Sequence, residues 1–468
     1  MVCVLEGCCH TFFELSVLIM KKFRFIRTLC VCLAALVCLG SGTWFSVQAQ
    51  DKPHSTAIVS EELNDHLPSW LRVGGEYRLR WEGRTGQGGT ENRDDSYFLN
   101  RVRLDLTFKL SKQWTVFVQA QDAKAFGFNT HPVPASYEDS FDLRQAYVEW
   151  RQDEKHGWSL KAGRQELNYG DQRLVGAANW GNSSRTFDAV KVGYMSPKFA
   201  VDAFASSVVA IDDEHFDRHR DGNNLYGVFA SLPKLNSKMN LNTYVFWKTE
   251  QNTRSERGLI ASSDVVTFGS QLKGQLSPRF DYDLDVMGQR GSFSKDEIQA
   301  HAVHTRLGYA LNPKQEHVPK LFVEYNHASG DGTPGDGIRG TFDQLFPTGH
   351  ARYGAVDQVG LRNMHNAQVG TIWKPRSNLN VQLDYQSFWL AHRRDGLYNS
   401  SGALAAILPN GAPDAHVAQE VDLQVQYNFR PGVSFGSGFG HWIPGAFWKA
   451  ATPGSPQTFA YSFMTYRF

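Results

Sequence analysis

The stretch LRVGGEYRLRWE, residues 71–82, decides the architecture. In an extended chain successive side chains point to opposite sides, so Val73, Gly75, Tyr77, Leu79 and Trp81 share one face. Arg72, Glu76, Arg78, Arg80 and Glu82 share the other. A second stretch, RVRLDLTFKL at 101–110, splits the same way: Val102, Leu104, Leu106, Phe108 and Leu110 oppose Arg101, Arg103, Asp105, Thr107 and Lys109. Period two over ten residues is the mark of a strand with two unlike faces, and this polar face is too charged for a packed core.

Working outward, the device recurs along the chain. Leu379, Val381, Leu383 and Tyr385 alternate with Asn380, Gln382, Asp384 and Gln386, and Val421, Leu423, Val425, Tyr427 and Phe429 with Glu420, Asp422, Gln424, Gln426 and Asn428. The runs Phe199–Ser206 and Leu225–Ala230 alternate less cleanly, which leaves their register open. Runs of this length suit a bilayer crossed at a tilt, whereas strands of soluble sandwiches and propellers centre near about five or six residues. Tyr97, Phe98, Trp114, Trp150, Trp158, Trp373 and Trp389 lie near run ends, where an interfacial aromatic girdle belongs. Ala460, Met464, Tyr466 and Phe468 share one face of a last strand that stops at Phe, an ending typical of outer-membrane barrels. The expectation is all-β: a transmembrane antiparallel up-and-down barrel of about 18 strands with long extracellular loops, spanning 69–468. Loops are expected at 83–96, 127–140, 170–184, 211–222, 330–365, 393–416 and 444–456. A barrel of this size encloses water unless loops fold into it.

Composition is compatible. Of 468 residues, 41% are hydrophobic, 13% aromatic and 20% charged, which excludes a disordered or collagen-like chain. A mean hydropathy of −0.39 and the lack of a long uncharged apolar run exclude a helical multi-span protein, but not a barrel, whose alternation averages out. The net charge of +1 offers no global hint of nucleic acid, and none is expected as a partner.

All six cysteines, Cys3, Cys8, Cys9, Cys30, Cys32 and Cys38, lie at the amino terminus. Lys21, Lys22, Arg24 and Arg27 precede an apolar run from Leu29 to Leu39 and then Val47, Gln48 and Ala49. This reads as a signal peptide over 20–49, cleaved after Ala49, with 1–19 ascribed to a start codon placed too early. Residues 50–68 read as a polar extension. Removing 1–49 leaves no thiol for a disulfide, metal site or nucleophile.

The densest polar segment contains Gly163, Arg164, Gln165, Glu166, Tyr169, Gly170, Asp171, Gln172 and Arg173, followed by Arg185, Thr186, Phe187 and Asp188. It resembles the signature of the bacterial alginate-export family of outer-membrane proteins. Phe346, Pro347, Thr348, Gly349, His350, Tyr353, Gly354 and Asp357, and then Phe388, Trp389, Leu390, Asp395, Leu397 and Tyr398, extend the likeness. The resemblance implies an 18-stranded barrel in the outer membrane that exports an anionic polysaccharide such as alginate through an arginine-lined constriction gated by loops.

The residues support the same chemistry. Guanidinium is a permanently charged planar fork that matches a carboxylate, and weak multiple sites let a polyanion enter and leave. Arg78, Arg80, Arg101, Arg103, Arg144, Arg164, Arg173 and Arg185 are the candidate pathway, with Glu76, Asp105, Glu166, Asp171 and Asp188 as pairing groups. Glu76, Asp105, Glu149 and Glu166 are expected to face inward, so the lumen is not purely basic. The alternative for each arginine is an ion-pair ladder that only stabilises the wall.

Rival functions are a diffusion porin for small anionic or sugar solutes, a barrel hydrolase, and a plugged receptor or adhesin. No Gly-x-Ser-x-Gly nucleophile motif stands out, and no enzyme activity and no cofactor are expected. Asp331 and Asp336 lack calcium-loop spacing, and Asp212, Asp213 and Glu214 read as a solvated cluster able to bind divalent ions bridging lipopolysaccharide. His301 and His304 should point to opposite strand faces, which speaks against a metal site. Further expected partners are outer-membrane lipid and periplasmic scaffold proteins, and the barrel is expected to act as a monomer.

Overall fold

The computed structural model describes residues 59–129, 133–236, 238–255 and 257–468. The signal-peptide reading and the start of the polar extension lie outside them. A helix, α1 (Val59–His66), precedes the first strand.

Eighteen long strands follow in simple succession: β1 (Leu71–Thr85), β2 (Asp95–Lys109), β3 (Trp114–Phe126), β4 (Asp139–Arg151), β5 (Gly157–Gln165) and β6 (Phe187–Met195). Next come β7 (Ala200–Ala210), β8 (Arg218–Asn236), β9 (Met239–Arg254), β10 (Ile260–Gln275), β11 (Phe280–Phe293) and β12 (Asp296–Ala310). The last are β13 (Lys320–Ala328), β14 (Met364–Arg376), β15 (Leu379–Leu390), β16 (His416–Arg430), β17 (Val433–Pro444) and β18 (Gln457–Arg467). Each pairs antiparallel with its sequence neighbours, and β1 pairs with β18 from Glu76↔Arg467 to Thr85↔Thr458, which closes the barrel. Closure removes the unpaired strand edge that hydrocarbon would not tolerate. No described helix is long and apolar enough to cross a membrane.

The alternation read at 71–82 and 101–110 has the expected sense. Val102, Val190, Val286 and Val323 are about half exposed on the outward surface, whereas Arg80 and Gln289 on the inward stripe are fully buried. Trp114, Trp158, Trp373 and Phe98 also project outward. Tyr97 does not: it faces inward, is buried, and donates its hydroxyl to Glu82 at 2.7 Å. At the seam Gly75 lies under the Phe468 ring, where a Cβ would come within 2.5 Å of it.

One end of the barrel carries tight turns, such as 110–113, 377–378 and 431–432, and the other carries the long loops. Three of these fold into the lumen: 166–186, 329–363 and 391–415. Leu167, Tyr169, Leu174 and Val175 of the first pack on Phe204, Phe246 and neighbouring inward side chains. This explains the blurred alternation of β7 and β8: their inner face is apolar because a loop, not water, covers it. The second loop joins the first through Phe346 N–H to Leu174 O (2.8 Å) and Gly176 N–H to Phe346 O (2.9 Å). It adds a short strand, Ile338–Arg339, parallel to β12. The third docks through Asp395, whose carboxylate accepts from Asp331 N–H (2.8 Å) and the Thr341 hydroxyl (2.6 Å). A second short helix, α2 (Ala446–Ala451), lies in the β17–β18 loop.

Candidate substrate pathway

Arg78 and Arg80 of β1 and Arg101 and Arg103 of β2 project inward side by side, as alternation dictates. Arg144 joins them for a reason alternation does not supply. Gln119↔Gln145 is followed by Ala120↔Leu143, so Arg144 is the extra residue of a β-bulge, and both it and Gln145 face inward.

Buried guanidinium groups are costly unless their donors are satisfied. Here much of the satisfaction comes from backbone carbonyls of the 166–186 loop. Arg78 donates to Asn179 O (3.0 Å) and Gly181 O (3.1 Å), and Arg101 to Gly181 O (3.1 Å). Arg103 donates to Gln121 Oε1 and Ser184 Oγ, both at 2.8 Å. Arg80 lies 3.9 Å over the Trp180 ring and pairs with Glu82 at 2.8 Å. Arg101 pairs with Glu76, and Arg144 with Glu166. Arg78 and Arg103 make no ion pair among the described residues.

Beneath this tethered turn, toward the short-turn end, lies a polar cavity of about 850 Å³. Arg78, Arg101, Arg103, Arg430 and Arg467 line it, with Glu76 as its single carboxylate, and Asn179 and Trp180 close it from the loop side. The opposite wall has the reverse character. Asp285 of β11, Asp384 of β15 and Glu420 and Asp422 of β16 face inward, linked by amides: Asn366 to Gln386 (3.1 Å), Gln386 to Asp422 (2.7 Å) and Gln368 to Asp384 (2.7 Å). Loop 329–363 docks there, with Val356 N–H donating to Glu420 at 2.8 Å.

Several residues lie elsewhere than expected. Arg164 was expected in the lumen, but it shares the outward face with Trp158 and Leu160 and pairs at 2.8 Å with Asp188 at the long-loop rim. Arg173 and Arg185 lie inside the loop assembly. Arg173 donates to the Tyr353 hydroxyl (2.8 Å), and Arg185 to Gly176 O and Pro347 O (both 3.0 Å). Burial lowers the Arg185 guanidinium to about 10. Asp171 was expected to hold an arginine; it pairs instead with Lys273 and accepts from Gln271 at 3.0 Å. Asp105 accepts from Gln119 at 2.7 Å. Glu76 and Glu166 do pair with arginines. Sequence reasoning missed Arg430 and Arg467; Arg467 sits on the inward stripe of the last strand and was open to the same reading as Arg78.

The family described as alginate export matches residues 69–461. The chain belongs to that family. Among curated proteins none matches. Solved structures of similar fold come from Pseudomonas aeruginosa. OpdQ is 11% identical with a TM-score of 0.58 and covers 86% of this chain and 99% of its own. OccK11 (OpdR) is 13% identical with a TM-score of 0.55, at 85% and 96%. The outer membrane protein OpdK is 12% identical with a TM-score of 0.55, at 85% and 98%. At such identities they speak for the fold, and the alginate-export chain shares with them a barrel of the outer-membrane kind.

Proposed function

We propose that this alginate-export family member is a passive outer-membrane channel for an anionic polysaccharide, a polyuronate such as alginate, which moves along the arginine wall. The observation that carries the reading is the cavity inside the barrel where five arginines face one carboxylate. Carboxylates of successive sugar units can exchange between guanidinium forks without any one site holding them tightly. The reading is transport rather than catalysis, by a monomer in contact with outer-membrane lipid, lipopolysaccharide and a periplasmic scaffold protein.

A second reading, a diffusion porin for small anionic or sugar solutes, is favoured by the three inward loops, which take up width that a polymer needs. Planar-bilayer recordings of the purified protein separate them. Under a salt gradient the first reading expects anion selectivity and a current reduced by oligouronate. A cation-selective pore indifferent to oligouronate would sink it, and anion selectivity without polymer block would leave the porin. Absence of any permeation in liposome swelling would point to the plugged receptor or adhesin.

A further inference from the structure

Sequence spacing separates His301 from His304, and the structure does put them on opposite faces: His304 is buried in the lumen and donates Nδ1–H to Asn326 Oδ1 (2.8 Å), while His301 is exposed on the outer wall. What spacing along one strand does not show is the neighbouring strand. His327 of β13 occupies the same outward stripe as Val323 and Tyr325, and its Nε2 lies 3.3 Å from Nε2 of His301 on β12. We propose that His301 and His327 form a binding site for a late first-row divalent metal ion, Cu²⁺, Ni²⁺ or Zn²⁺, on the outward wall at the long-loop rim.

Four observations carry this. A metal bound at about 2.0–2.1 Å separates two imidazole nitrogens by about 3.3 Å in tetrahedral geometry and by about 2.9 Å at cis positions of a square-planar ion, so the observed spacing suits Zn²⁺ as it stands and Cu²⁺ or Ni²⁺ after a shift of a few tenths of an ångström. Nδ1 of His327 is buried, which leaves Nε2 as the nitrogen presented to a ligand. The His327 ring is held by stacking on His365 of β14 at 4.5 Å, and His365 is itself fixed by the Tyr325 hydroxyl, 2.7 Å from its Nδ1. Outer-shell contacts of this kind orient ligating imidazoles. Finally, the pair lies where β13 ends and the 329–363 loop begins, with Ser329 N–H bonded to His301 O at 2.9 Å and exposed Gln299 and Glu297 continuing the His301 stripe beyond it, so it is at the polar edge of the outward apolar band.

The donor set selects the metal. Two imidazoles suit Cu²⁺, Ni²⁺ and Zn²⁺ and are poor partners for Ca²⁺ or Mg²⁺, and Cu²⁺ should bind most tightly. Two protein ligands leave the remaining positions to water or to an external donor.

The test uses the full-length protein in detergent. Calorimetric titration with CuCl₂ should show a site whose electron paramagnetic resonance spectrum carries two imidazole nitrogens. His301→Ala and His327→Ala should each weaken it by at least about tenfold and remove one nitrogen, while His317→Ala, at a turn on the opposite end, should leave it unchanged. Gel migration before and after boiling checks that each variant is folded. Copper bound equally well by the His301→Ala/His327→Ala double variant, or no copper bound at all, would overturn the proposal and leave the two rings as a hydrogen-bonded pair only.

Discussion

Arg103 alternates with Val102 and Leu104 and faces the lumen, whereas Arg164 is in step with Trp158 and Leu160 and faces outside. Arg103→Glu should place a negative charge among Arg78, Arg101 and Arg467 and reduce the anion-to-cation permeability ratio severalfold. Arg164→Glu should leave that ratio unchanged, since its charge lies at the rim beside Asp188. Reversal potentials of both variants in one salt gradient check this, and equal shifts would show that placement does not matter. Gly163, next to Arg164, illustrates a different constraint. Its φ is +123°, and a Cβ there would come within 2.3 Å of Ala146 O on β4. Gly163→Ala should therefore cost about 1–3 kcal/mol, read as a lower temperature of unfolding in detergent. An unchanged unfolding temperature would mean the β4–β5 pair can spread at no cost.

The decisive element is the 166–186 loop, because its carbonyls and side chains hold Arg78, Arg101 and Arg103 at the edge of the cavity. Trp180 is its anchor, lying between the Arg80 guanidinium at 3.9 Å and the His350 ring stacked at 3.8 Å. A desolvated cation–π contact is worth about 2 kcal/mol, so Trp180→Ala should loosen the turn and raise single-channel conductance. Unchanged conductance would show that the turn does not narrow the path. Loop 329–363 has its own tether at Asp343. Burial alone would raise this carboxyl, but Lys248 at 3.1 Å, Arg362 and the Leu345 N–H together bring it down to about 2. A folded-state value below the unfolded one stabilises the docked loop at pH values above the unfolded pKa. That stabilisation, about 2 kcal/mol, is lost as pH falls from about 4 through about 2. Limited proteolysis of the loop should rise over that window, and Asp343→Asn should be sensitive already at neutral pH and lose the acid dependence. Wild-type cleavage independent of pH would exclude the tether.

For the molecule as a whole, everything depends on which stripe meets hydrocarbon. Val286 lies mid-strand in β11 and is 49% exposed outward. Val286→Arg should cost about 2–4 kcal/mol in reversible guanidinium unfolding from lipid vesicles, the amount expected near the bilayer midplane. In a water-facing wall the same change would cost almost nothing, so a tolerated arginine would remove the barrel from the membrane. The lumen is the other half of this account. It segregates charge locally, with five arginines around one carboxylate in the cavity and Asp384, Glu420 and Asp422 gathered on β15 and β16, which no net charge of +1 discloses.

Alternation along the chain was enough to specify the barrel, its strand directions and which side chains of β1 and β2 point inward. Period two is a local property, and Arg78, Arg80, Arg101 and Arg103 follow from it without reference to any neighbour. Most of the long loops were also legible, from clusters of turn residues between the runs. Whatever depends on register between strands or on where a loop returns had to wait for the folded chain. The bulge that turns Arg144 inward, the pairing of Asp171 with Lys273 and the meeting of His301 with His327 all arise between segments distant in sequence, whereas the outward place of Arg164 follows from the stripe it shares with Trp158 and Leu160 and was open to the local reading. The tethering of five buried guanidinium groups by one loop is likewise a long-range matter: alternation aims a side chain at a face, but packing decides what waits for it there.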